Sequence, residues 1–600
     1  MLLRAWISLC AGLVALGWIL SSFGGLTSLA YESALGLFVL FWLFYGKRIP
    51  KRYFKRERFL LRRLTSLRLL LPGIFVMSTL LLLLKGVMVP PCHDDGLCYR
   101  IPRAMNWIMD HRWHWISSED FRLDVCGTVS EWLSVPILLL FKTDRLVFFP
   151  NWICHLFLPG LIFSVWRNLG VSSKIAWLAM WLLPSGFCFA LQAVNTSNDS
   201  LGAFFILAAF FFALKGSPSK NWGDFAFSIL CMALATGVKL NLLSLGLAWL
   251  IAMSAGWKTL LSRPALTTGA LLGATLVSFV PTGFFNWWHG RGWTGLDYVP
   301  QTPPLVNFVC TTFRILAHNL MPPFFNCFDW VHALIHGIRN SLLGDLLNQR
   351  SLDIEPIFYI WIAIEQVGIG FIVLIGLILI FCITQPKQIS LKSDITGTIL
   401  SKQNLILICL AVAFLHYLFF IGSDQPARLI CPFYLLLTPI FFTGRALRKS
   451  VSWRACKLMT GMAMFAGLYM ALFFTENPLY GFIPFFEVRS HWDERLKQEV
   501  AKVIPVDENT IGVVRFYNQR ETWLWQPYGK RKIIEFSINP DPLRIKKFGV
   551  HYIVISKEML VLNHLTIESW LATQPVTLVD SILASKDDHW YSWYIVEIHR

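Results

Sequence analysis

Apolar runs recur through the first 475 residues, separated by short polar or charged stretches. A hydrocarbon core of about 30 Å needs roughly 20 apolar residues per helix. The pattern predicts thirteen spanning segments, near 3–22, 30–46, 67–89, 144–166, 174–191, 200–215, 223–238, 241–256, 265–284, 357–384, 403–421, 427–443 and 458–475. Only "TGVKLN" separates the seventh from the eighth. No small-x-small cleavage site follows 3–22, so it is read as a retained helix rather than a signal peptide. Three longer stretches stand outside the runs: 90–143, 285–356 and 477–600. The last changes period. Its runs "IGVVRF", "KIIEF", "HYIVIS" and "WYIVEI" predict strands, with "TIESWLAT" a helix between them. The expected fold is therefore an α-helical polytopic membrane protein with a small C-terminal α/β domain. Its parts are an N-terminal two-helix extension and basic loop (1–66), a transmembrane domain (67–476) and the C-terminal domain (477–600).

Composition agrees, with 55% hydrophobic and 15% charged residues, against about 25% charged in an ordinary soluble domain. The net charge of +17 raises the question of nucleic acid until its distribution is read. Lys47–Arg68 holds ten Lys or Arg and one acid, whereas 91–143 holds five basic residues and seven acids. This is the positive-inside rule, and it excludes nucleic-acid binding. With 47–68 cytoplasmic, alternation puts 90–143, 285–356 and 477–600 on the extracytoplasmic side. Five cysteines then lie outside: Cys92, Cys98, Cys126, Cys310 and Cys327. Pairing of Cys92 with Cys98, or of either with Cys126, stays open.

The outer face also collects chemistry. In "PPCHDDGLCYRIPRAMNW" (90–107), Asp94 and Asp95 sit where a helix surfaces, and they either cap the next helix or act as catalysts. That helix, in which Tyr99, Met105 or Trp107, Ile108 and Trp113 can form an apolar face, is expected in the interface plane, with Arg100, Arg103 and Arg112 near lipid headgroups. In "LQAVNTSNDSLGA" (191–203), Asn198 and Asp199 stand at another outer helix boundary, again as caps or as site residues. Lys239 is costly in apolar sequence, by about 2.5–3.5 kcal/mol on insertion scales, which marks it as functional unless it snorkels. "IGSDQPARLICPFYLLL" (421–437) brings Asp424, Gln425 and Arg428 into one turn, where Arg428 suits a phosphate or pairs with Asp424. The 285–356 stretch carries Trp287, Trp288, His289, His318, His332 and His336, without metal-ligand spacing. No HExxH, paired CxxC, P-loop or GxGxxG is present. Acids, cations and aromatics at one membrane face suit an enzyme acting on a lipid with an anionic head. A transporter would place such groups near the midplane.

These motifs resemble those of the GT-C superfamily of membrane glycosyltransferases, in the branch of protein O-mannosyltransferases and aminoarabinose transferases. "DDGLCYRIPRAMNW" is similar to that branch's first acidic turn and following helix, matching at Asp95, Tyr99, Pro102, Arg103 and Trp107. "QAVNTSNDSLGAFF" resembles its second acidic turn, at Asn198 and Asp199, and "ARLICPFYLLLTP" its late R-x-x-x-P helix, at Arg428 and Pro432. Where the branch has a Glu after the first Asp, this chain has Gly96, with Asp94 preceding instead. That weakens a two-carboxylate or metal role for the turn and leaves Asp95 as general base. The resemblance implies transfer of a sugar from a polyprenyl-phosphate donor to a glycan, lipid or protein acceptor at the extracytoplasmic face of a bacterial inner membrane. Asp95, Asp94 and Asp199 would be catalytic, and Lys239, Arg428 and Arg103 would hold the donor phosphate. Tyr99, Asn198, Asp424 and Gln425 would line the pocket. The helix 100–113 and loop 285–356 would roof it, and 477–600 would contact the acceptor. No cofactor is implied, although a divalent metal stays open. The rival readings are a flippase or transporter of lipid-linked glycans and a noncatalytic envelope-assembly subunit.

Overall fold

The structure is a computed structural model that describes residues 1–47, 69–88, 91, 95–295, 304–320, 367–386, 401–421, 426–473, 500–505, 507–516, 519, 521–582 and 592–598. Asp94, Asp424, Gln425, Cys92, Cys327, His332 and His336 lie outside the described residues.

Among the described residues, six helices are long and apolar enough to cross a membrane: Leu2–Ser22, Leu70–Met88, Phe149–Asn168, Asp199–Ser219, Leu240–Leu261 and Lys402–Phe420. Two bent pairs raise the count to eight. They are Ser173–Ser185 with Phe187–Val194, bent by 62°, and Pro264–Val277 with Val280–Trp288, bent by 55°. The other predicted spans fall on Ser28–Lys47, Trp222–Val238, Phe371–Cys382, the broken run from Pro426 to Phe442, and Trp453–Phe473. Thirteen is thus the number of predicted apolar stretches that carry helix, and six to eight the number of full-length spans among the described residues. The chain is a multi-pass membrane protein.

The hub of the bundle is Asp199–Ser219. It is apolar all round and buried without interruption from Asp199 to Phe210, as expected of a helix surrounded by other helices. It packs on Trp222–Val238, Phe149–Asn168 and Cys431–Leu437. Ser228 Oγ donates to the Ala209 carbonyl at 2.7 Å and accepts from Trp249 Nε1 at 2.9 Å, tying three helices together.

One apolar helix stands where an outer loop is expected. Val129–Phe141 has 13 residues, about 20 Å of rise, which is less than the hydrocarbon thickness. It also has Glu131 in its first turn and Pro136 inside, so its signal as a span is weak. Its presence corrects the reading of the preceding segment. The helix Ile101–Met109 exists, but Ile101 through Ile108 are all buried, and Arg100 and Arg103 are buried with them. Val129–Phe141 covers one side of this helix, through Trp107 against Trp132 at 4.6 Å between ring centroids. The C-terminal domain meets it from another. It is an internal element rather than an interfacial one, and of the three arginines only Arg112 is exposed.

The C-terminal domain holds a five-stranded sheet. Numbering the short antiparallel pair Thr384–Pro386 and Arg445–Leu447 as β1 and β2, its strands are β3 (Thr510–Val514), β4 (Lys532–Glu535), β5 (Tyr552–Ser556), β6 (Val576–Ile582) and β7 (Trp593–Ile598). The order is β4-β3-β5-β7-β6, with β4, β3 and β5 mutually parallel and β7 antiparallel to both of its neighbours, β5 and β6. The four predicted strands are present, and Ile567–Leu571 is the predicted helix, opened by a Thr566 capping box. The fifth strand, β6, escapes sequence reading because it is a bulged, half-exposed edge.

This domain docks on the 97–144 segment through polar contacts. Tyr528 donates to Asp144 at 2.8 Å, and Lys532 pairs with Asp110. Arg515, 1% exposed, lies 3.1 Å from Glu521 and 3.2 Å from Glu535. Burial pushes the Glu521 carboxyl up to about 7, opposed by Arg515 and reinforced by Glu535. A carboxyl raised in the fold binds its proton more tightly there than in the unfolded chain. Its stabilising contribution is therefore complete below about pH 4.5 and is lost as pH rises to about 7, on the order of 3 kcal/mol in all. Thermal unfolding in detergent should show stability falling across that window. Glu521→Gln should flatten the slope, and an unchanged slope would refute the assignment.

Candidate active site

Four charged residues found by sequence come together, and chain separation gives no hint of it. Arg428 lies between two acids. Its Nη2 is 3.3 Å from Asp95 Oδ2, and its Nε is 3.1 Å from Asp199 Oδ2. The other Asp199 oxygen, Oδ1, pairs with Lys239 Nζ. Beyond Asp95 the series continues, since Arg122 Nη1 is 4.0 Å from Asp95 Oδ1 and Arg122 grips Asp120 by two bonds of 2.8 and 2.6 Å. Three acids and three cations alternate in one row.

Local structure places each member. Asp199 is the first residue of the central helix, where the positive end of the helix dipole favours a carboxylate. Gln192 donates to its Oδ2 at 3.0 Å and accepts from the Ser200 amide at 2.6 Å. Lys239 stands in extended conformation at the break between helix Trp222–Val238 and the 3-10 turn Leu240–Leu245, which explains the thin separator "TGVKLN". Arg428 is on the short helix Pro426–Leu429, and Asp95 immediately precedes a π-helical turn, Gly96–Arg100. Exposure differs among the row's members. The Lys239 and Asp95 side chains are 23% and 17% exposed, Arg428 9% and Asp199 1%. Asp95 and Lys239 are therefore the more accessible of the four, and Asp199 is enclosed.

Gly96 stands where space is tight. A Cβ there would collide with Thr196 Oγ1, from the loop that carries Asp199. The two acidic turns touch at this glycine. Gly96→Ala should cost about 1–3 kcal/mol of stability by overpacking. Thr196→Ala, which removes the oxygen, should recover part of it in unfolding midpoints. Equal losses in the single and double variants would argue against the contact.

Other predicted site residues are not charged members of the row, although Tyr99 and Asn198 lie against it. Arg103 is fully buried and donates to the carbonyls of Gly127, Asp124 and Cys126 at 3.2, 2.9 and 2.8 Å, so it clamps a loop and has no open face toward a phosphate. Asn198 donates to the Val238 carbonyl at 3.0 Å, pinning the backbone just before Lys239. Tyr99 is buried with guanidinium groups over its ring, Arg122 at 4.4 Å and Arg100 at 4.8 Å, and its hydroxyl accepts from Arg100 at 2.7 Å. Cys98 and Cys126 are not joined to each other. No group of three or more His, Cys, Asp or Glu with metal-site geometry gathers among the described residues.

Two parts of the surroundings escape the sequence reading. Helix Pro304–Leu320 packs on Tyr417–Ile421 and on the Arg428 helix. It buries Asn307, Thr311, Arg314 and His318. Their spacing of four, three and four residues is one helical face, a signal present in the sequence. Neither ring nitrogen of His318 has a hydrogen-bond partner among the described residues. Tyr417 is also buried, its hydroxyl is unpartnered among the described residues, and it lies within reach of the Asp199 and Arg428 charges.

No family model and no curated protein matches the chain. Solved structures do. The chain is similar to ArnT from Cupriavidus metallidurans. Against ArnT bound to undecaprenyl phosphate the identity is 12% and the TM-score 0.48, covering 87% of this chain and 97% of that one. Against the apo state of the same protein they are 13% and 0.40, covering 87% and 96%. The arabinosyltransferase EmbB from Mycobacterium smegmatis is 13% identical with a TM-score of 0.29, covering 74% of this chain and 44% of that one.

Proposed function

We propose that the chain is a GT-C-type membrane glycosyltransferase. It transfers a sugar from a polyprenyl-phosphate donor to a lipid, polysaccharide or protein acceptor at the extracytoplasmic face. One observation carries the reading: Asp95, Arg428, Asp199 and Lys239 form a continuous charged row at the ends of apolar helices. A lipid phosphate at such a position keeps its chain in the hydrocarbon and its charge against cations. A transporter site is expected nearer the bilayer midplane on broken helices.

In the proposed reaction Asp95 takes the proton of the acceptor hydroxyl or amine. The acceptor atom forms the new bond to the anomeric carbon as the bond from that carbon to the phosphate oxygen breaks. The electron pair stays on the departing phosphate, where Lys239 and Arg428 stabilise the charge. Asp199 touches no substrate in this scheme and sets the positions of both cations.

The test uses purified protein, polyprenyl-phosphate-linked sugars and a panel of acceptors, and it reads glycosylated product together with released polyprenyl phosphate. Donor binding without product from any acceptor would overturn the reading.

A further inference from the structure

We propose that Arg515 and Thr522 of the C-terminal domain are positioning residues for Asp95. They supply hydrogen bonds that the Asp95 turn cannot make for itself. The proposal rests on the functional reading above in taking Asp95 as the general base.

The argument starts from Pro102. In the π-helical turn Gly96–Arg100, the amide of Ile101 donates five residues back, to the Gly96 carbonyl. The next donor would be residue 102, but proline has no N–H. The carbonyl four residues before it, Cys98, and the carbonyl five before it, Leu97, both lose that donor. Such π-turns are uncommon and cluster at functional sites. This one follows Asp95 directly.

The missing donors come from the far end of the chain. Thr522 Oγ1 donates to the Leu97 carbonyl at 2.6 Å, and Arg515 Nη1 donates to the Cys98 carbonyl at 3.0 Å. Both side chains are 1% exposed. The guanidinium is itself braced, by Glu521 and Glu535 on its Nε edge. Glu535 in turn accepts from Ser118 Oγ at 2.7 Å and from the Glu119 amide at 3.0 Å. Arg515 is therefore a fixed donor rather than a swinging one. On its other side the turn abuts Thr196 at Gly96. Asp95 thus sits at the end of a short segment gripped between the second acidic turn and the C-terminal domain, and its direction toward Arg428 depends on that grip.

The experiment compares Thr522→Val, Arg515→Met and Arg515→Lys with Tyr528→Phe in the full-length purified protein. Tyr528 secures the same domain to Asp144 without touching the Asp95 turn. Amide exchange over residues 96–101 and steady-state transfer kinetics are read on each. Thr522→Val and Arg515→Met should speed exchange in that segment and lower kcat by roughly tenfold to a hundredfold, the scale of a misplaced catalytic group. KM should stay within about twofold, and Arg515→Lys should recover part of kcat. Tyr528→Phe should leave both readouts unchanged. Unchanged exchange over 96–101 in Thr522→Val overturns the proposal, as does an equal loss of kcat in Tyr528→Phe, which would mean domain docking in general. If the wild type transfers no sugar, the functional reading fails, and the exchange measurements still decide whether the grip exists.

Discussion

Replacing Asp95 with Asn should reduce sugar transfer by about 10²–10⁴-fold, the usual contribution of a general base. The expected loss is in kcat, with the donor still bound. The side chain is 17% exposed, and the two cations at its oxygens stand at 3.3 and 4.0 Å. Amide replacement there keeps shape and costs little folding energy. This separates the catalytic role from capping, because Asp95 makes no side-chain cap bond to the turn that follows it. A cap variant would lose about 0.5–2 kcal/mol of stability and keep its turnover. The measurement is product formation from a polyprenyl-phosphate sugar, alongside the unfolding midpoint of the same preparation. Transfer at wild-type rate in Asp95→Asn would remove Asp95 from the reaction.

Four of the row's six members are legible in the sequence, while Arg122 and Asp120 are not singled out there and the order of the row is not encoded. Asp95, Asp199, Lys239 and Arg428 each stand out as charge at the edge of an apolar run, because membrane sequence makes an ionisable residue conspicuous. Their pairing depends on how helices hundreds of residues apart pack, and no local pattern encodes it. The resemblance implies one role toward phosphate for Lys239 and Arg428, and packing sets both against Asp199 as well. The same limit explains Arg103. Reading Ile101–Met109 as amphipathic is sound, but its polar side meets Val129–Phe141 and the loop carbonyls at 124–127 instead of lipid headgroups. That partner helix was missed because 13 residues with an internal proline do not register as a span. The polar face of Pro304–Leu320 was missed for another reason. A search for metal spacing looks for His and Cys, while this stripe mixes Asn, Thr, Arg and His. In the C-terminal domain the strand pattern identifies four strands, the edge strand β4 included, and misses β6, whose bulge and exposure leave it no buried period.

Asp199 should prove more important to the fold than to the chemistry. It is 1% exposed and faces two cations, Lys239 at one oxygen and Arg428 at the other. Removing one partner of a buried ion pair leaves charge without compensation, at a cost of about 3–5 kcal/mol. Asp199→Ala removes the carboxylate from Lys239, whose side chain is 23% exposed, while Arg428 keeps Asp95 at 3.3 Å, so the lower end of that range is expected in the unfolding midpoint in detergent. Lys239→Met added to Asp199→Ala should recover part of the loss, since it removes the cation that lost its carboxylate, and the pair should be clearly non-additive. A surface carboxylate behaves otherwise, because an exposed pair is worth about 0–1 kcal/mol. The two possibilities are therefore well separated in energy. An Asp199→Ala protein as stable as wild type would mean that water, rather than the helix bundle, surrounds the row. The alternation of charges would then no longer explain how Lys239 and Arg428 are held.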